Sequence, residues 1–442
     1  MSNGVLQSDS RKRLLPIEVP YKYSENKSLP DWFRKIIKDG LSAIEELPIP
    51  DSKTEGWRET NVSLFFNNRL KWQHLYFCQD IGGVKIPLIF SDNFPPNVIY
   101  FNRRVNKDGA IELEKKGVSI YTLSQRNFGE DSFLKTLLIS EKESRHIFES
   151  VSRAFLFDGL VIEVPDNLVV EDPINIYFPV PEIKNHVIDT PWLFLMVGSN
   201  SQVSISVHYL DEREDVSNPI WVNASEIISL SHNAHLKFLS SISGSSSTYR
   251  YMSTAIQLRR DSSVSYNSLM MSGKFVRSEL NLELRGENIL SLINGVSLNE
   301  SNNHSETQQL IEHLQSNCMS RINWRGIGKD ESKTLYRGKI YIAPNAQKSD
   351  SIQLFKGLSL SDKAVVDAKP QLEIYADDVR CTHGATVGPP PQDLLFYFRA
   401  RGIDAKKAKN LLLSAFVRQI LAEIPFRNVE NLIKRYLEVL YD

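Results

Sequence analysis

Between about Ala154 and Thr386 the chain keeps returning to short β-rich runs, each set off by a small polar residue at a regular interval. The runs are Phe155–Val164, Ile174–Val180, Trp192–Val197, Val203–Leu210, Leu236–Ser240, Thr254–Leu258, Val264–Met270, Leu280–Leu284, Ile289–Leu298, Tyr336–Ile342 and Leu372–Ala376. Asn200, Asn233, Asp261, Glu287, Asn317, Asn345 and Asp362 punctuate them as candidate corners. Most of those corners lie roughly 26–33 residues apart, a period that signals stacked repeats. No helix-length apolar pattern interrupts the series, so a solenoid explains it better than a doubly wound sheet, which needs a helix between parallel strands. Periodicity leaves two mainly-β architectures open: a right-handed parallel β-helix (solenoid) and a β-sandwich.

Length fits the first of these. A chain of 442 residues exceeds the roughly 250–300 at which one core stops growing, and a solenoid escapes that ceiling because each turn touches only its neighbours. The net charge of −1 offers no electrostatic footprint for nucleic acid. No apolar run approaches the ~18 residues of a spanning helix, and Met1–Arg13 has no signal-peptide core, so no membrane partner is expected. Three cysteines (Cys78, Cys318, Cys381) make no disulfide framework, and a reducing compartment is expected: cytoplasm, or plastid stroma in a eukaryote.

Different periods flank the β-region. Residues 1–153 read as a mixed, helix-rich opening. Trp32, Phe33, Ile36, Ile37, Leu41 and Ile44 recur at three and four after Pro30, and Pro48 and Pro50 stop that helix. A second helical pattern spans about Asp131–Arg153. After the β-helix core at 154–388, residues 389–442 return to helix behind the stiff Pro389-Pro390-Pro391. Asp393–Arg401 forms a short helix closed by Gly402, and Asp404 is placed to cap the next. Val429, Leu432, Ile433, Tyr436, Leu437 and Leu440 make an apolar stripe that must find a surface. Packing against the end of the β-region, covering its edges, is one expectation; docking of another subunit is the other.

The segment KPQLEIYADDVRCTHGATVG, residues 369–388, concentrates the chemistry. If its strand stays regular, Glu373, Tyr375, Asp377, Cys381 and His383 share one face and Leu372, Ile374 and Ala376 the other. The apolar set then faces inward, and thiol and imidazole face outward, about 6.6 Å apart along the strand. A thiolate and an imidazole suit a shared metal or cluster site, but two ligands do not close one. The bland alternatives are a small buried thiol and a hydrogen-bonded structural histidine. His304, His313 and Cys318 (HSETQQLIEHLQSNCMSR) form a second candidate set whose spacing matches no zinc pattern. No phosphate-binding GxxxxGK[ST] is present, so ATP hydrolysis would have to come from a partner.

The 369–388 segment resembles, nearly residue for residue, the C-terminal signature of the SufD family, subunits of the SUF iron–sulfur cluster assembly complex. Lys53–Asn61 (KTEGWRETN) is similar to an N-terminal element of Suf proteins, and LFYFRARGIDAKKAKNLLLSAF to the family's tail. The resemblance implies a β-helix, and a scaffold subunit rather than an enzyme. It implies pairing with SufB through the last β-helix turns, with His383 and Cys381 as interfacial iron–sulfur ligands. It also implies docking of the SufC ATPase on Leu395, Phe396, Tyr397, Arg401, Gly402, Leu412 and Phe416. The cluster would be transient, with no cofactor bound permanently, and the isolated chain could form a homodimer. Gly388–Asp393 and Gln353–Leu360 depart from the family pattern. Alternatives from other classes are a β-helix polysaccharide lyase or hydrolase, using Glu373 and Asp377, and a stand-alone metal protein. The paralogous SufB scaffold is the alternative within the SUF system.

Overall fold

The computed structural model describes residues 15–26, 29–63, 65–66, 72–75, 81–95, 97–102, 104–125, 144 and 146–441. Sixteen principal strands build a parallel β-solenoid of eight coils, two strands to a coil. They are β1 (Leu160–Val164), β2 (Ile174–Pro179), β3 (Trp192–Val197), β4 (Gln202–Leu210), β5 (Ile220–Leu230), β6 (His235–Ser243), β7 (Thr248–Leu258) and β8 (Ser263–Met270). They continue as β9 (Phe275–Leu284), β10 (Leu290–Asn299), β11 (His304–His313), β12 (Met319–Gly328), β13 (Lys333–Ile342), β14 (Asp350–Ser359), β15 (Val365–Ile374) and β16 (Arg380–Gly388). Odd strands stack in one sheet and even strands in the other, parallel and in register.

The corners explain the period. Asn167, Asn200, Asn233, Asp261, Asn288, Asn317 and Lys348 all adopt positive φ, between 52° and 63°, in successive coils. Asparagine and aspartate tolerate this left-handed turn better than other side-chain-bearing residues. Their side chains also form a ladder: Asn233 Nδ2 donates to Asn200 Oδ1 at 3.0 Å, and Asn200 Nδ2 to Asn167 Oδ1 at 3.0 Å. Two expected corners shift, because Asn288 and Lys348, not Glu287 and Asn345, take the left-handed position, and Asp362 does not take it.

Three apolar cores result. The lumen between the sheets is filled by inward residues such as Ile162, Ile205, Ile256, Leu282, Ile293 and Ile340. On the outer face of the odd sheet lie helix α1 (Glu18–Ser24), α2 (Asp31–Glu46) and residues 55–63 and 65–66, with Phe33, Ile37, Trp57 and Phe65 against Trp221 and Tyr251. Helix α3 (Leu88–Asn93) lies over the even sheet, and α4 (Lys107–Lys115) precedes a short strand, Ser119–Thr122. Helix α5 (Ile147–Ala154) is the described part of the expected 131–153 helix; residues 131–143 and 145 lie outside the described residues, as does Cys78.

After the solenoid come α6 (Gln392–Ala400), α7 (Ala405–Leu421) and α8 (Val429–Tyr441). Gly402 takes φ +80° after α6, and Asp404 caps α7 by accepting from the Lys407 amide at 2.9 Å. Their packing corrects one expectation. Leu413, Val417, Ile420, Leu432 and Ile433 lie on the outer face of the middle even strands, beside Leu239, Leu269, Val296 and Ile327. They do not cover the end of the solenoid.

That leaves the two ends of the stack unequal. At the first coil, Ser119–Thr122 pairs antiparallel with β1, and Val98–Phe101 pairs with β2. At the last coil, β15 and β16 are the terminal strands of their sheets, with no strand beyond them among the described residues. Their unpaired backbone edges and inner side chains are open.

Candidate functional site

Cys381 and His383 stand on this open end, but on a different face from the expected one. The strand through Gln371 does not continue: β15 ends at Ile374, Tyr375–Val379 turn the corner, and β16 starts at Arg380 in the opposite sheet. The common parity expected from Glu373 to His383 is therefore broken. On β15 the alternation holds, with Val366, Ala368 and Leu372 packed on the lumenal core and Glu373 outside, paired to Lys339 at 2.5 Å.

On β16 the register decides the facing. Cys381 pairs with Ser351 and His383 with Gln353, and both partners are wholly buried lumenal residues. In-register parallel partners share a face, so Cys381 and His383 point to the lumenal side of the last coil. Cys381 is half-buried against the core, and burial raises its thiol pKa. His383 is exposed, and among the described residues nothing stacks on this coil. The pair thus lies on an inner surface left uncovered.

The second candidate set is not brought to that surface. His313, at the end of β11, is fully buried; its Nε2 lies 2.9 Å from Ser320 Oγ and its Nδ1 3.2 Å from Ser349 Oγ. Burial pulls its pKa down to about 4. Cys318 is buried after the Asn317 corner, donates to the Gly286 carbonyl at 3.2 Å, and has its pKa pushed up to about 11 by burial. Both behave as packed structural groups.

One constellation was missed in the sequence. His146, Glu149 and Glu279 bring ligand-type atoms within 4.8 Å of one another. Glu279 already accepts from Arg277 Nε at 2.7 Å and from Tyr251 Oη at 3.1 Å, with His146 Nε2 at 3.2 Å. Arg277, itself buried, also pairs with Glu306 at 2.8 Å. The Arg277 guanidinium is thus shared between Glu279 and Glu306, and the set suits an ion-pair core better than a metal. Its role is mechanical. Gly56 O accepts from Arg277 and Gln308, Thr60 bonds Glu306, and Glu59 pairs with Arg337 on β13 and Lys369 on β15. The KTEGWRETN element is thus a strap clipped across successive coils up to the last.

Of the expected docking residues, Phe396, Tyr397, Arg401 and Gly402 are exposed; Phe396 and Tyr397 show 74% and 54% of their surface. Arg401 lies 5.2 Å from the Tyr397 ring. Leu395 is buried, Leu412 is half-buried, and Phe416 packs against the solenoid beneath Arg325. A cavity of about 620 Å3 lies between α6, α7 and the adjoining corner, lined by Leu395, Leu413, Lys329 and Lys409.

The model of the SUF system FeS cluster assembly SufBD core domain matches residues 184–416, more than half of the chain. The iron–sulfur cluster assembly protein SufD of Escherichia coli is 32% identical over 193 residues, which are 44% of this chain and 46% of that protein. A SufBD family iron–sulfur cluster assembly protein of Synechocystis is 25% identical over 404 residues, covering 89% of this chain and 87% of its own. The SufD protein of Bacillus subtilis is 25% identical over 431 residues, 94% and 95% of the two chains. The eight-coil solenoid and this match agree: the chain belongs to the SufBD family of the SUF iron–sulfur cluster assembly system.

Proposed function

We propose that the chain is a SufD-type scaffold subunit whose open solenoid end is half of an iron–sulfur assembly site. The observation that carries this reading is the uncovered last coil, where Cys381 and His383 sit on an inner surface between two unpaired edge strands. A SufB subunit stacking on that end would bury both residues and supply the remaining ligands. A thiolate and a neutral imidazole are suitable donors for iron, and the cluster is cargo passing through the site. Cys381 must lose its proton to ligate, and its raised pKa keeps it a thiol in the free chain. Ligation therefore waits for a metal or a charged partner group.

The exposed Phe396–Tyr397 face of α6 is the proposed seat of the SufC ATPase, whose motion would reach the open end through the short Gly388–Pro391 connection. The chain itself would turn over no substrate, and its work would be done in the cytoplasm or plastid stroma. A polysaccharide-cleaving role is less well supported, because the Glu373 carboxylate is engaged by Lys339. The functional test is co-expression with SufB and SufC, followed by iron and acid-labile sulfide analysis of the purified complex. His383→Ala should abolish cluster yield while the three subunits still co-purify. An unchanged yield rejects the role of His383.

A further inference from the structure

Directly beneath His383, in register on β14, lies Gln353, a side chain with no solvent exposure whose carboxamide Oε1 has no hydrogen-bond partner among the described residues. The rest of that amide is firmly held. Its Nε2 donates to Tyr336 Oη at 3.0 Å, and Tyr336 Oη donates to Gln309 Oε1 at 2.9 Å. Space for the amide has been made on the neighbouring sheet. A Cβ at Gly338 would stand 1.7 Å from Gln353 Nε2, so only glycine admits this arrangement. The outcome is a rigid, buried acceptor one strand spacing from an imidazole that is exposed on the same lumenal face. A buried acceptor left unpaired is costly, and His383, its register neighbour on the same face, carries a ring N–H that could serve as the donor.

We infer that Gln353 is a positioning residue for His383, accepting a hydrogen bond from its Nδ1–H and thereby presenting the Nε2 lone pair at the open end. Donation from Nδ1, the nitrogen nearer the backbone, would leave the outer nitrogen, Nε2, free toward the open end. A second group that fixes the tautomer and orientation of a histidine is what a ligating imidazole generally has. Gln309, Tyr336 and Gly338 then act one step further back, by fixing the amide. The inference rests on the reading of His383 as the residue that faces the metal, but its test does not.

The test is nitrogen NMR of the full-length chain with 15N-labelled histidine, the His383 signals being assigned by their loss in His383→Gln. In the wild-type protein the Nδ1–H tautomer should exceed Nε2–H by about tenfold, the reverse of the preference of free histidine. Gln353→Leu should return His383 to the free ratio, and Gln353→Glu should keep the Nδ1–H form. Tyr336→Phe, which leaves the Gln353 side chain in place but frees its Nε2, should reduce the bias. Predominant Nε2–H in the wild-type protein overturns the inference without any variant, and an unchanged ratio in Gln353→Leu overturns it as well. Cluster yield in the complex separates the two readings. A tautomer shift in Gln353→Leu with full cluster yield keeps the positioning contact and removes its link to assembly.

Discussion

The guanidinium of Arg277 lies 3.5 Å from the ring centre of Trp57, with Phe148 stacked on the same indole at 5.2 Å. One residue from the N-terminal strap and one from β9 thus lock together over the odd sheet, and both are buried. Trp57→Ala removes a large buried side chain and should cost about 3 to 5 kcal/mol. Denaturant unfolding at pH 7 measures it; a loss below about 1 kcal/mol would mean that the strap is not part of the core.

Arg277→Met should be as harmful for a different reason. It leaves the Glu279 and Glu306 carboxylates buried without their cation, a loss of about 3 to 5 kcal/mol. A thermal melt should show it. Adding Glu306→Gln to that variant should recover part of the loss, since one buried charge then disappears.

Acid should destabilise the fold through His313. Its pKa falls from 6.5 in the unfolded chain to about 4 in the lumen. Below pH 6.5 the unfolded chain binds a proton that the folded chain refuses, so stability held above pH 6.5 drains away down to pH 4. The contribution is about 2 to 3 kcal/mol between pH 7 and pH 4.5. Buried His208, its pKa lowered to about 3, acts in the same direction. Unfolding of His313→Gln at both pH values should show a shallower pH dependence than the wild-type protein by that amount.

Close packing in the lumen makes Gly295 indispensable, whereas Gly384 in the last coil has room for a side chain. A Cβ on Gly295 would lie 2.2 Å from Trp324 Cζ3, inside the lumen, where the indole has no room to retreat. Gly295→Ala should cost about 1 to 3 kcal/mol by overpacking. Gly384, beside His383, meets nothing closer than 3.3 Å, so Gly384→Ala should be tolerated within about 1 kcal/mol. Thermal unfolding of the two variants gives the comparison directly.

Much of this architecture was legible in the residues. The recurrent Asn and Asp corners announced the coil, because a left-handed turn selects those side chains, and Gly402 and Asp404 marked the α6–α7 junction. Strands β5, β11, β12 and β14 were missed. Helices and strap cover the outer face of β5, so all eleven of its residues are buried and no alternation shows. In β11 the lumenal face carries Ser305, Thr307, Gln309 and His313, polar residues that hide the apolar alternation by which a strand is recognised. The facing of Cys381 and His383 was misread because Tyr375–Val379 moves the chain to the other sheet, and a corner resets parity. The orphaned Gln353 oxygen had no signal in the sequence, since it arises only when two coils stack in register.

Hydrogen–deuterium exchange of the edge strands tests the half-site most directly. With no neighbour, the outward-pointing amides of β15 (Val365–Ile374) and β16 (Arg380–Gly388) should exchange quickly in the isolated chain. Adding SufB should slow them strongly, with the segment around Cys381 and His383 at the centre of the protected region. Protection confined to α6–α8, with the edge amides of β15 and β16 unchanged, would contradict the account.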